Sequence, residues 1–295
     1  MTKRSSFKNH TLATLLLLPL LLILLIFFYW PSLQAIFTSL IVTDPFGLSY
    51  TFVGLENFRQ LFQNPSYLRS IRVTLFFTVS VTLLTMALAL LLAVFTDRVK
   101  RGRRVYQNLF VWPYARSSVV AGTLWLFLLD PNVGFVTNTV LKPLGLNWNP
   151  FNYGAHAMIL IVIASVWNGT AYSFLFYFAA LQSIPKELSE AAAIDGAGPN
   201  VRFWRITLPL LASTSFYLLM VNVISVFLGG FALVDALTGG GPAGATTLMI
   251  YKVYQDGFMA GDLGSSSAQS VILMIIVILF TLFQFRFVER RIHYN

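Results

Sequence analysis

Five stretches of the chain carry no Asp, Glu, Lys or Arg: 11–43, 73–96, 143–185, 206–234 and 263–285. The shortest holds 23 residues, and a helix needs about 20 apolar residues to cross a hydrocarbon core of about 30 Å. A sixth stretch, 105–129, is interrupted only by Arg116. Trimmed of polar ends, they predict six transmembrane helices over 12–30, 73–95, 107–129, 157–181, 209–234 and 268–287. Alternation with period two is missing, which argues against a β-barrel. The expected class is an all-α membrane protein. Charge-free 236–251 is too short and too rich in Gly and Pro to span; it reads as an outer loop, with Gly239–Gly241 a flexible turn.

Lys3, Arg4 and Lys8 could begin a cleaved signal peptide. The apolar run behind them is too long for one, and ends in Tyr29-Trp30-Pro31 without an A-x-A-like site. An uncleaved first helix with an interfacial aromatic end is the better reading.

Composition agrees with the pattern. The chain is 57% hydrophobic and 11% charged, with mean hydropathy +0.72, too few charges to clothe a water-soluble globule. A disordered chain or a nucleic-acid-binding module is excluded by the same figures, so the net charge of +9 is read by position instead. With the N-terminus inside and six crossings, the inner segments hold fourteen basic residues: Lys3, Arg4, Lys8, Arg98, Lys100, Arg101, Arg103, Arg104, Lys186, Arg202, Arg205, Arg286, Arg290 and Arg291. The outer segments hold five: Arg59, Arg69, Arg72, Lys142 and Lys252. By the positive-inside rule both termini are cytoplasmic. Cysteine is absent, so no disulfide or thiolate chemistry is available.

Three segments outside the bilayer matter. The first outer loop, 31–72, ends in VGLENFRQLF (53–62), whose Val53, Leu55, Phe58, Leu61 and Phe62 approach helical spacing. Such a helix can lie on the membrane surface or pack on the spans. The connector DRVKRGRR (97–104) sets topology and meets anionic headgroups. The longest inner loop, 182–208, reads QSIPKELSEAAAIDGAGPNVRFWRITL. Ser183 can cap a helix, Pro185 suits its first turn and Glu187 complements its positive end. Leu188, Ala191 and Ala192 share one face, and Gly196 can take the left-handed conformation that ends the helix. Pro199 can start a second short helix through Phe203 and Ile206. This compact helix–turn–helix can dock on a cytosolic partner or serve as a self-capped connector.

Glu190-Ala191-Ala192, three residues, Gly196, nine residues, Ile206, one residue, then Leu208-Pro209 resembles the EAA motif of ABC importer permeases. DPFG (44–47), FVGLENF (52–58), SIPKELSEAAAIDGAGP (183–199), ATTLMIYKVY (245–254) and AQSV (268–271) extend the likeness, within the carbohydrate-importer group, to permeases for sn-glycerol-3-phosphate. The resemblance implies a type I ABC importer permease fold in the cell inner membrane. Residues 1–72 would form a tail, first helix and outer loop, 73–290 the transporter core with its coupling loop 182–208, and 291–295 a cytoplasmic tail. It implies a second, different permease subunit, two copies of a cytosolic ABC ATPase, and a periplasmic or surface-anchored binding protein. Glu190, Ala191, Ala192, Asp195, Gly196, Ile206, Leu208 and Pro209 would couple to the ATPase.

The chain itself offers no GxxxxGK[ST] and no Gly-Lys pair, so ATP and Mg belong on the partner and no cofactor is expected here. His10, His156 and His293 are too scattered for a metal site, and no nucleophile–base pair or carboxylate cluster points to an enzyme. Polar side chains at membrane depth are costly unless they face protein or water. Trp167, Asn168, Thr170 and Tyr172 in the fourth span, and Asn222, Ser225 and Phe227 in the fifth, are candidates for a substrate pathway, or for plain interhelical bonding. Arg116 either attracts an anionic substrate from mid-membrane or, with the helix starting at Pro113, snorkels to the inner face. Competing functions are a permease for an uncharged sugar or polyol, an ion-coupled secondary carrier, and a scaffold without transport.

Overall fold

The computed structural model describes residues 10–44, 49–99, 101–115, 117–284 and 286. Outside them lie Arg116, Lys100, residues 45–47 of DPFG, His293, and the basic residues Lys3, Arg4, Lys8, Arg290 and Arg291. Helix makes up 79% of the structure, and one two-stranded hairpin is the sole sheet among the described residues. The chain divides into two compact units: residues up to Gln63 with Val253–Ile272, and Asn64–Lys252 with the residues from Leu273 onward.

In the first unit, α1 (His10–Leu24) passes through a π-turn (Leu25–Tyr29) into α2 (Trp30–Thr38). The helix thus outruns the expected end at residue 30. Trp30 donates its N–H to Leu25 O, five residues back. That wider turn lies just before Pro31, which has no N–H to contribute, so the helix continues past it. The most apolar stretch of Thr14–Thr38 has no buried residue. Strands β1 (Ile41–Thr43) and β2 (Tyr50–Phe52) pair antiparallel, Ile41 opposite Phe52. The helix expected over 53–62 forms as α3 (Glu56–Gln63). Its inward anchor is polar: buried Asn57 donates from Nδ2 to Ser39 O and Ile41 O, 2.9 Å each. Gly264 sits so close to this corner that a Cβ there would lie 2.5 Å from Ile41 O.

The second unit is built on α4 (Pro65–Arg98) and α7 (Gly154–Ser183), which pack along their length. Asn64 caps α4, its Oδ1 accepting from the N–H groups of Ser66 (2.9 Å) and Tyr67 (3.4 Å), with Pro65 in the first turn. The two backbones come close where Gly169 on α7 meets Thr85 on α4, a Cβ there lying 3.3 Å from Thr85 Cγ2; Ala89 and Ala93 on α4, and Ala157, Ala164 and Ala171 at seven-residue spacing on α7, are fully buried.

The third crossing is divided, where one helix over 107–129 was expected. It comprises α5 (Arg103–Val111), a 3₁₀ turn (Trp112–Ala115) and α6 (Ser118–Leu129). Pro113 interrupts the hydrogen-bond ladder, and Ser117 restarts it by accepting the Val119 N–H at 3.3 Å. Helix α6 is 12 residues long, about 18 Å at 1.5 Å per residue. It packs against α7 and against α12 (Phe231–Leu237), which follows α11 (Ala212–Gly229) in the fifth crossing. The inner loop contributes α8 (Lys186–Ile194), α9 (Pro199–Arg202) and α10 (Leu208–Leu210). Beyond the fifth crossing come α13 (Met249–Tyr254) and the final helix α14 (Leu263–Phe283). Among the described residues, five helices are long and apolar enough to span a membrane; α6 is a shorter sixth.

The glycine-rich outer loop is packed where a flexible turn was expected. Thr246 Oγ1 donates to Gly241 O (2.7 Å) and Thr247 Oγ1 to Gly240 O (3.0 Å). Arg69 Nη1 reaches Ala243 O (2.7 Å), and Thr74 Oγ1 accepts from the Met249 N–H (2.8 Å). Three glycines in a row serve a tight path: Gly240 has φ of +81°, and a Cβ on it would lie 2.7 Å from Thr247 Oγ1. His156 is a boundary residue, its Nδ1 accepting from the Asn149 N–H (3.1 Å) and its ring stacked on Trp148 at 4.9 Å.

Candidate functional site

The inner loop is self-contained and open. Helix α8 starts at Lys186 behind Pro185 with no side-chain cap; Ser183, expected to cap it, donates instead to Ala180 O (2.8 Å) at the end of α7. The helix ends as its glycine requires. Gly196 takes φ of +83°, with the Gly196 N–H on Ala193 O (3.1 Å) and the Ala197 N–H on Ala192 O (2.9 Å). The second helix is shorter than expected: α9 gives way to a π-turn (Phe203–Thr207) before Leu208-Pro209. One arginine joins the pair, Arg202 Nη1 donating to Ser189 O and Oγ at 3.2 Å each.

Of the sequence-defined loop residues, Glu190, Ala191, Asp195, Gly196 and Pro209 are exposed, and Ala192, Ile206 and Leu208 half-buried. Ile194, which the motif does not include, is 88% exposed. Nothing lies within 4 Å of where a Gly196 Cβ would stand. The glycine is required by its backbone conformation rather than by crowding within the chain. At the root of the loop, Asp97 in the last turn of α4 accepts from Arg103 Nη2 (2.6 Å) and from Gln182. The Arg103 guanidinium also lies over the Phe178 ring, 4.5 Å from its centre. The ends of α4, α5 and α7 are thereby tied beneath the loop.

The polar residues of the fourth and fifth spans do not form one site. Asn222 is buried, its Nδ2 donating to Ser173 Oγ (3.0 Å) and Leu218 O (2.8 Å). Asn168 reaches Ser118 Oγ at 3.3 Å. Trp167 meets the edge of Trp125 with centroids 5.7 Å apart. Ser225 is exposed and Phe227 buried, the latter beside an apolar groove with Thr78 and Thr82, away from Tyr172. Arg116 falls outside the described residues.

Tyr172 does sit in a cluster, largely of residues the sequence reading missed. Its hydroxyl shares a 2.8 Å hydrogen bond with Tyr217, and its ring lies 4.7 Å from Phe176 and 6.0 Å from Tyr114. Phe176 closes the group at 5.1 Å from Tyr217. Tyr172 and Phe176 are one helical turn apart, a signal that was available; Tyr114 and Tyr217 are brought in only by packing.

Residues 86–294 match the family described as "Binding-protein-dependent transport system inner membrane component". The chain belongs to that family. Relatives include the sn-glycerol-3-phosphate transport system permease protein UgpA of Rhizobium meliloti (strain 1021), 51% identical over 99% of this chain and 100% of that protein. The protein of the same name from Yersinia pseudotuberculosis serotype I (strain IP32953) is 52% identical over 99% of both chains. Among solved structures, a bacterial ABC transporter involved in import of the acidic polysaccharide alginate aligns at TM-score 0.82, covering 96% of each chain at 24% identity. The fold is therefore that of a type I ABC importer permease. As a binding-protein-dependent inner-membrane component, this is a transport protein, which sets aside the ion-coupled carrier and the non-transporting scaffold. In keeping with that, the sole Asp or Glu in α4, α7, α11 and α14 is Asp97, at the very end of α4.

Proposed function

We propose that this inner-membrane component is the permease subunit of an ATP-driven importer for sn-glycerol-3-phosphate, working by alternating access. It pairs with a second, different permease subunit, two copies of a cytosolic ABC ATPase and a binding protein that delivers substrate from outside. The chain is not itself a catalyst; Mg-ATP binds the partner. Both termini face the cytoplasm, in keeping with the fourteen-to-five distribution of basic residues. Residues 73–290 form the transport core.

One observation carries the coupling reading: α8 and Gly196 present an exposed, glycine-ended element that follows α7 directly and leads through α9, a π-turn and α10 into α11. Seated in the ATPase through Glu190, Ala191, Ala192, Asp195 and Gly196, it would move as that dimer closes. Ile206, Leu208 and Pro209 would carry the motion into the fifth crossing. Substrate identity is supported by relatives at about half identity over nearly the full chain. Tyr172, with Tyr114, Phe176 and Tyr217, offers aromatic faces and three hydroxyls to a polyol, while Asn222 and Asn168 fasten helices.

The test is ATPase stimulation in proteoliposomes holding the complete transporter with its binding protein. Stimulation by sn-glycerol-3-phosphate, and not by uncharged sugars or polyols, is expected. The reverse preference would leave the importer reading standing and replace the substrate.

A further inference from the structure

Two cavities meet at the C-terminal end of α4. The first, about 550 Å³, lies between the last turns of α4 and α7 and the helices α8 and α9, within the range of about 300–1,000 Å³ common for ligand sites. Its wall carries three cations, Arg98, Lys186 and Arg202, and two carboxylates, Asp97 and Glu190. Asp97 is already engaged by Arg103 at 2.6 Å. No carboxylate among the described residues pairs with Arg98, Lys186 or Arg202. The lining therefore has positive charge to spare. Arg202 adds a specific vacancy in its bonding, since Nη1 is held by Ser189 but Nε is buried with no acceptor. A buried charged donor left without an acceptor is costly, and a turn of the guanidinium toward an anionic oxygen in the cavity would relieve it.

The second cavity, about 340 Å³, runs along α4 from the same place. Val94, Arg98 and Phe203 line both. Apart from Asn200 its other walls are apolar, with Leu91 and Phe95 50% and 57% exposed on the spanning part of α4. A free phosphate would use only the polar cavity. An apolar groove opening from the same arginine fits a ligand with an anionic head and a hydrocarbon tail.

We propose that the two cavities form one binding site for an anionic phospholipid. Its phosphate sits among Arg98, Lys186 and Arg202, and an acyl chain lies along Leu91 and Phe95. Arg98 occupies the last turn of a membrane helix, the depth of the headgroups, where basic pockets between helices recruit such lipids. The leaflet is the inner one if the orientation proposed above holds; the site itself does not depend on it. Because the phosphate is shared between α4 and the α8–α9 pair, the lipid braces the inner loop against the helix end.

The experiment is native mass spectrometry of the full-length chain, purified with its co-assembling subunits from nanodiscs of equal phosphatidylglycerol and phosphatidylcholine. Wild type is expected to retain phosphatidylglycerol preferentially. Equal retention of both lipids overturns the proposal without any variant. The double variant Arg98→Gln/Arg202→Gln should lose about fivefold in retention per charge removed, while Arg98→Lys keeps the lipid; unchanged retention in a correctly assembled double variant overturns it. Leu91→Trp, which fills the groove and leaves the charges, should also lose the lipid. If Leu91→Trp is without effect and inorganic phosphate displaces whatever is bound, the site is for a free anion and the lipid assignment fails.

Discussion

The α4–α7 core and the inner loop use the same small residues to opposite ends. On α7, Ala157, Ala164 and Ala171 are fully buried, and Gly169 lies where a Cβ would meet Thr85 Cγ2 at 3.3 Å. On α8, Ala191 and Ala193 are exposed, Ile194 is 88% exposed, and a Gly196 Cβ would meet nothing within 4 Å. In the core, smallness brings two helices of this chain together. In the loop, it leaves a low, partly apolar surface with no cover from its own chain, the condition expected of a surface made for another subunit.

The strongest way to break this contrast is Gly196→Val. A β-branched residue is strained at φ of +83°, so uptake should be lost while insertion and abundance, read by immunoblot of membranes, are kept; normal uptake would remove the coupling role. Ile194→Asp comes next. It should leave the unfolding free energy of the isolated chain within about 0.5 kcal/mol of wild type yet sharply reduce co-purification of the ATPase, and full recovery of the ATPase would mean the loop face is not an interface. In the core, Ala164→Leu should destabilise by about 1–3 kcal/mol through overpacking, seen as a lower unfolding temperature in detergent; no shift would show that the buried alanine stripe of α7 is not close-packed. The smallest effects separate the two kinds of intramembrane polar residue. Asn222→Ala should lower stability by about 1 kcal/mol with substrate KM unchanged, whereas Tyr172→Phe should raise KM severalfold with stability nearly intact. An exchange of these outcomes would reverse the roles of fastener and pathway residue.

Much of the architecture was readable from the chain, and the reason differs by region. Charge-free stretches revealed the crossings because lipid accepts few unpaired charges. Gly196 announced the end of α8 because few other residues adopt its backbone conformation at low cost. Errors came where one local rule was applied alone. Pro31 was read as a helix end, but the preceding π-turn accommodates it. One continuous helix was expected over 107–129, but Pro113 breaks it and the restart waits for Ser117. Asn57 escaped notice because an apolar-periodicity reading cannot see an inward polar anchor.

What the sequence determined by itself is the medium and the partitioning: which segments enter lipid, and where a polar, glycine-ended knuckle interrupts them. Those properties follow from transfer free energies and backbone preferences that act residue by residue. Only the tertiary structure decided that Asn222 turns to Ser173 while Tyr172 joins Tyr114 and Tyr217, and that Arg98, Lys186 and Arg202 line one cavity. Such groupings depend on how separate helices are rotated and set against one another. No single helix encodes that rotation, because it is fixed by the side chains of its neighbours.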